Sequence, residues 1–168
     1  YGNNAAHNNQ DYQPVYKTNT INGKPAIYFD GNDDRLVIQN PESLDGMESI
    51  QIFFVLNPHT LDNNTRGLIE KSHWGQSYKA HTGSQGNVWW GHDINQASGQ
   101  RVFAGGVLRT NEFQILHLAF QDKKWKVFHN GILKEEINTN ISSIPITLTN
   151  VRIGYNANAS SGFRGDIA

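Results

Sequence analysis

FQILHLAFQDKKWKVFHNGILKEEI, residues 113–137, is the stretch that decides the fold. Leu116, Leu118 and Phe120 alternate with their neighbours, the period of two that puts one face of a strand on a core. Asp122-Lys123-Lys124 turns the chain, Trp125 to His129 runs back, and Asn130-Gly131 turns it again into Ile132 to Ile137. Asn-Gly accepts positive φ at both central positions, which a tight hairpin turn requires. The segment therefore reads as a three-stranded antiparallel meander.

The same pattern recurs outward from it. Ala26-Ile27-Tyr28-Phe29 and Arg35-Leu36-Val37-Ile38 are β-rich runs on either side of the turn-forming Asp30-Gly31-Asn32-Asp33-Asp34. In Ser49 to Leu56, Ile50, Ile52, Phe54 and Leu56 share one face, and Phe53 and Val55 make the other face apolar, which predicts a central strand covered on both sides. Runs at 67–71, 77–82, 87–93, 100–108, 147–148, 151–155 and from Phe163, bounded by Gly, Asn or Ser, complete an all-β sandwich with very little helix. Residues 1–20, polar and Asn-rich, read as irregular chain over the surface. Residues 1–168 are most simply one domain.

Composition narrows the function. The formal net charge is −1, with 14 Lys and Arg scattered rather than clustered, so the electrostatic footprint of nucleic-acid binding is missing. No apolar run approaches the roughly 20 residues that cross a bilayer, which argues against membrane insertion. There is no cysteine, which removes disulfides, zinc–thiolate sites and thiol nucleophiles. An extracellular or cell-surface protein of bacterial type is the expected setting.

Several segments resemble, in order and spacing, the bacterial laminin-G-like and concanavalin-A-like domains. They are Ile21-Asn22-Gly23-Lys24-Pro25-Ala26 running into Phe29-Asp30-Gly31-Asn32-Asp33-Asp34, the apolar strand through Phe54, Trp125-Lys126-Val127-Phe128-His129-Asn130-Gly131, Val151-Arg152-Ile153-Gly154-Tyr155, and Phe163-Arg164-Gly165-Asp166-Ile167-Ala168. The resemblance implies an antiparallel two-sheet jelly-roll sandwich with one concave and one convex sheet. It names no ligand, because lectins, binding modules, glucanases and lyases share this fold. In similar domains the last motif runs on into a further apolar strand and another strand precedes the first. The chain is thus expected to be trimmed at both ends, with an unpaired sheet edge that takes a strand from the rest of its parent protein.

The densest chemical constellation is His73-Trp74, Tyr78, His81, Trp89-Trp90 and His92-Asp93. Flat rings stack on the CH-bearing face of a pyranose while short polar side chains bond its hydroxyls, so Trp74, Tyr78, His81, Trp89, Trp90, His92, Asp93 and Arg101 are the expected ligand-binding set for a polysaccharide or cell-surface glycan. Alternation sends Trp89 and Trp90 to opposite faces, so either ring can equally be core. Trp125 reads as packing. His73, His81 and His92 match no compact metal motif.

Asp30, Asp33 and Asp34 with Asn32 make an oxygen-rich loop of the kind calcium takes, or simply a turn whose side chains bond their own backbone. The family resemblance implies a structural calcium held by a carbonyl of Gly31 and by Asp166, with Asp30 and Asp33 close by. For catalysis, a retaining glycosidase needs two carboxyls about 5 Å apart; Glu70 and Asp93 stand alone on their strands, and Glu135 and Glu136 point to opposite faces. A lyase would need a Tyr or His base with an Arg, for which Tyr78, His81, His92 and Arg101 are available. The expected function is a non-catalytic carbohydrate-binding or adhesion module, with a polysaccharide-active enzyme and a structural module of a fibre or surface assembly as alternatives.

Overall fold

The computed structural model describes residues 2–39, 41–71, 77–92, 101–157 and 161–168. Two sheets face each other, and the described residues contain no α-helix. The front sheet runs, in spatial order, through β1 (Ala5–Ala6), β4 (Leu36–Ile38), β13 (Val151–Ile153), β6 (Arg66–Lys71), β7 (Tyr78–Thr82), β8 (Val88–Gly91) and β9 (Arg101–Ala104). The short β14 (Tyr155–Asn156) and β15 (Ser161–Gly162) attach beside β6. The back sheet runs through β12 (Ile132–Asn138), β11 (Lys124–His129), β10 (Gln114–Gln121), β5 (Ile50–Pro58), β16 (Arg164–Ile167), β3 (Lys24–Asp30) and β2 (Val15–Ile21). All pairings are antiparallel except the single contact of β15 with β6.

The meander forms as its sequence dictates. β10 pairs β11 from Leu116↔His129 to Gln121↔Lys124, and β11 pairs β12. Asp122 and Lys123 turn with φ of 54° and 58°, and Asn130 and Gly131 with 49° and 80°, the positive values of the hairpin turn that matches strand twist. Its inward residues Leu116, Leu118, Phe120, Trp125 and Val127 are fully buried. Facing them across the sandwich, Trp90 meets Trp125 edge-on at 5.0 Å and Tyr78 at 5.9 Å, and its indole N–H donates to the Ala119 carbonyl at 2.9 Å. One tryptophan thus joins both sheets by packing and by a hydrogen bond.

Three expectations need correction. Residues 15–21 are not irregular: β2 pairs β3 through a turn at Asn22-Gly23, with φ of 48° and 76°. β2 is exposed along most of its length, so no apolar alternation marks it. β5 is central, between β10 and β16, but its outer face is open, and Phe53 is 63% exposed. Residues 147–148 form no strand; Leu148 has φ of 48° and lies exposed.

Candidate functional site

Register assigns the faces of the front sheet. Residues paired across an antiparallel ladder share a face. Ala80, opposite Trp90, points into the core with Tyr78, Val88, Val102 and Ala104. The intervening residues therefore form the outer face, in two rows. One row is Arg152, Glu70, Lys79, Gly91 and Arg101; the other is His81, Trp89 and Phe103.

Glycine shapes the second row. A Cβ at Gly83 would lie 2.5 Å from Cζ3 of Trp89 and 2.7 Å from Cη2, so the benzenoid half of the indole rests on a backbone with no side chain. Phe103 lies beside it, centroids 5.0 Å apart and planes tilted by 53°. Trp89 is partly exposed and Phe103 is 48% exposed. Segment 155–157 packs over the same face at β6. A Cβ at Gly67 would meet the backbone carbon of Tyr155 at 2.2 Å, and the Ala157 N–H donates to Glu70 Oε2 at 3.0 Å. The outer face is thereby walled at β6 and open at the Trp89–Phe103 end, with Lys79, Arg101, Arg152 and the acid Glu70 along it.

This splits the expected ligand set. His81, Trp89 and Arg101 lie together on the outer face, where His81 is buried, Trp89 partly exposed and Arg101 exposed. Tyr78, Trp90 and His92 do not: they point inward and are buried, with His92 Nδ1 2.7 Å from the Ser77 carbonyl, the pairing made when Nδ1 carries the proton. Trp74, His73 and Asp93 lie outside the described residues. Phe103 and Gly83 were not singled out from sequence. A register that sets Phe103 opposite Trp89 was the missing information, and strand spacing alone does not supply it.

The back sheet carries other rings on its outer face. Phe53, His117 and Phe128 stack at 4.1 Å and 4.6 Å with planes 11° and 15° apart, so both faces of the central His117 are covered while Phe53, at the end of the stack, stays largely exposed. Burial lowers the pKa of the His117 imidazole, which disfavours its charged form.

The expected calcium residues do not converge on one ion. The Gly31 carbonyl accepts from Arg66 Nη1 at 3.0 Å, and that guanidinium also binds Asp62 through two nitrogens, holding its carboxyl below the usual range. Asp166 is buried on the outer face of the back sheet and accepts from Lys17 at 3.2 Å, with His59 Nε2 at 2.9 Å. In this structure the Gly31 carbonyl and Asp166 thus each have protein donors as partners. Asp30, Asp33 and Asp34 do gather, with one carboxylate oxygen of each within 4.8 Å of the others. Burial, then the like charges of Asp30 and Asp33, push Asp34 above the usual carboxylate range, even though the Asp30 N–H donates to it at 2.8 Å. Burial also pushes Asp30 upward, but the N–H donors of Asn32, together with the backbone donors of Asp34 and Asp33, outweigh it and hold that carboxyl below its usual range. A hard oxygen-seeking cation suits this trio.

No family model matches the chain, and no curated protein matches it by sequence. Solved structures do share the fold at low identity. Domain 4 of AbnA, a GH43 extracellular arabinanase from Geobacillus stearothermophilus, in complex with arabinotriose, aligns with a TM-score of 0.65 at 14% identity, over 92% of this chain and 72% of that one. The ligand-binding domain of botulinum neurotoxin serotype D, in complex with N-acetylneuraminic acid, aligns at 0.64 and 14% identity over 99% of this chain, which spans only 42% of it. The CBM40 domain of the Ruminococcus gnavus IT-sialidase, bound to α2,3-sialyllactose, aligns at 0.66 and 14% identity over 91% of this chain and 87% of that one, so the chain has the β-sandwich fold of carbohydrate-binding domains.

Proposed function

We propose that the chain is a non-catalytic carbohydrate-binding domain of a secreted or surface protein, and that it takes a saccharide at the open end of the front sheet's outer face. The observation that carries this reading is Trp89 seated on Gly83 beside Phe103, an aromatic surface with the exposed Arg101 in the neighbouring row. A sugar ring stacks there by its CH face, and the neighbouring polar side chains meet its hydroxyls. The sugar-bound sandwiches among the similar structures support the ligand class. A glycosidase reading lacks support: Glu70 is the acid in these two rows, and a retaining mechanism needs a second carboxyl about 5 Å away.

The test is calorimetry against a glycan panel that includes sialyllactose and arabino-oligosaccharides, with a reducing-end assay on the same mixtures. We expect saturable binding without new reducing ends. Trp89→Ala should weaken it about tenfold or more, the equivalent of roughly 1.5 kcal/mol of stacking, at unchanged Tm. Undiminished affinity in that variant would move the site elsewhere, and released product would make the protein an enzyme.

We further propose a structural calcium at Asp30, Asp33 and Asp34, on the strength of their converging oxygens. Millimolar calcium should raise Tm, because a bound cation would offset both the burial of the Asp34 carboxylate and its repulsion by Asp30 and Asp33. Asp33→Asn should abolish the rise. A thermal midpoint indifferent to calcium and chelator sinks the idea.

A further inference from the structure

The hairpin between β7 and β8 turns on a residue that its geometry does not favour. The Asn87 N–H donates to the Ser84 carbonyl at 3.2 Å, and Gln85 and Gly86 between them have φ of 58° and 74°. Two central residues of positive φ closed by that bond make a type I′ turn, whose first central position prefers Asn, Asp or Gly. The chain follows the preference at Asn22-Gly23, Asp122-Lys123 and Asn130-Gly131, where both central residues also have positive φ. Gln85 stands where those turns carry Asn or Asp, and a Gln held there is strained.

The surroundings fix this conformation. The Gly83 N–H donates to the Asn87 carbonyl at 3.0 Å, and the Gly86 carbonyl accepts from Val107 and Leu108, both at 2.9 Å. A Cβ at Gly86 would lie 2.0 Å from the Leu108 carbonyl oxygen, and the Asn87 side chain accepts from the Gly106 N–H at 3.0 Å. Packing does not explain the choice of Gln, because the residue is exposed. What the turn lies beside is Trp89. Gln85 follows by two residues the Gly83 on which the indole rests, so their Cα atoms are within about 7 Å.

We infer that Gln85 contacts the ligand and sets part of its specificity, bonding two adjacent hydroxyls of a saccharide stacked on Trp89. The inference rests on the binding site proposed there. A sugar lying on a flat ring has its hydroxyls at the rim of the stack, and a carboxamide offers an acceptor and a donor side by side. Its carbonyl accepts from one hydroxyl while its NH2 donates to the next, so the ligand class is a saccharide with a free vicinal diol. Asn would suit the turn better but would draw the amide back by one methylene, about 1.5 Å. A residue kept against the preference of its turn is what such a contact requires.

The test is Gln85→Asn in the full chain, with calorimetry and amide NMR using arabinotriose and α2,3-sialyllactose as probes. The variant should keep or raise Tm, since it gives the turn the residue used at positions 22 and 130. It should bind at least about fivefold more weakly, the loss of a well-placed hydrogen bond. In the parent, the Gln85 side-chain NH2 signals should shift on titration together with the Trp89 indole N–H. If the indole shifts and the Gln85 amide does not, or if Gln85→Asn binds as the parent does, the inference falls and the Trp89 site stands. A variant that loses Tm and affinity together makes Gln85 part of the fold and also overturns it. If neither signal shifts with either probe, the Trp89 site itself falls, and this inference with it.

Discussion

Replacing Lys71 by alanine is expected to destabilise the fold by about 3–5 kcal/mol, one of the two largest losses argued from this structure. The Lys71 side chain is 0% exposed, at the end of β6. Its ammonium lies 3.2 Å from Asp45 Oδ2 and donates to the Thr149 carbonyl at 2.8 Å, while Asp45 Oδ1 accepts from the Thr147 N–H at 3.0 Å. One ion pair thus ties β6 to two loops that carry no ladder of their own. Removing the lysine leaves a carboxylate buried with a single backbone donor, and the cost is that of an uncompensated charge, not of the pair itself. In a domain of this size the loss lowers Tm by about 6–20 °C. The double variant Lys71→Met, Asp45→Leu removes both charges and should recover most of the stability. Thermal denaturation of the two variants decides it: a single variant within 1 °C of the parent, or a double variant as unstable as the single, contradicts the account.

The fold was legible where period and turn chemistry agree. The meander alternates strictly and turns at Asn130-Gly131, so local sequence contains all that its pairing uses. β2 is hard to read because a hairpin strand that is wet on most of its length has no apolar alternation; Asn22-Gly23 is its local turn signal. The apolar outer face of β5 suggested cover on both sides, yet Phe53 stacks on His117 and stays largely exposed. The site was legible by half. Period two separates Trp89 from Trp90 but does not say which face is core; that is decided by what lies across the sandwich, Trp125 and Ala119, more than twenty-five residues away in sequence. The protein partners of Gly31 and Asp166 were hidden for a related reason. Arg66, Lys17 and His59 reach those positions only through tertiary packing, whereas the Asp30–Asp33–Asp34 group is local and could be read directly.

Neighbouring tryptophans therefore provide the sharpest test of the face assignment. Trp90→Ala should cost about 3–5 kcal/mol, the range for emptying a large aromatic site that cannot collapse. The site is rigid by construction. Trp90 is fully buried between Trp125 and Tyr78, and its departure also leaves the Ala119 carbonyl without its indole donor. Trp90→Phe should fall between, filling part of the volume and still losing the hydrogen bond. Measured at a temperature where the variant remains folded, glycan affinity should stay within about threefold of the parent, because no atom of Trp90 reaches the outer face. Trp89→Ala should do the opposite, losing affinity with Tm unchanged, since its ring packs on Gly83 and Phe103 outside the core. If Trp90→Ala weakens binding in the folded state while Trp89→Ala unfolds the domain, the register that assigns β8 its two faces is wrong by one residue, and every side chain given to the outer face moves with it.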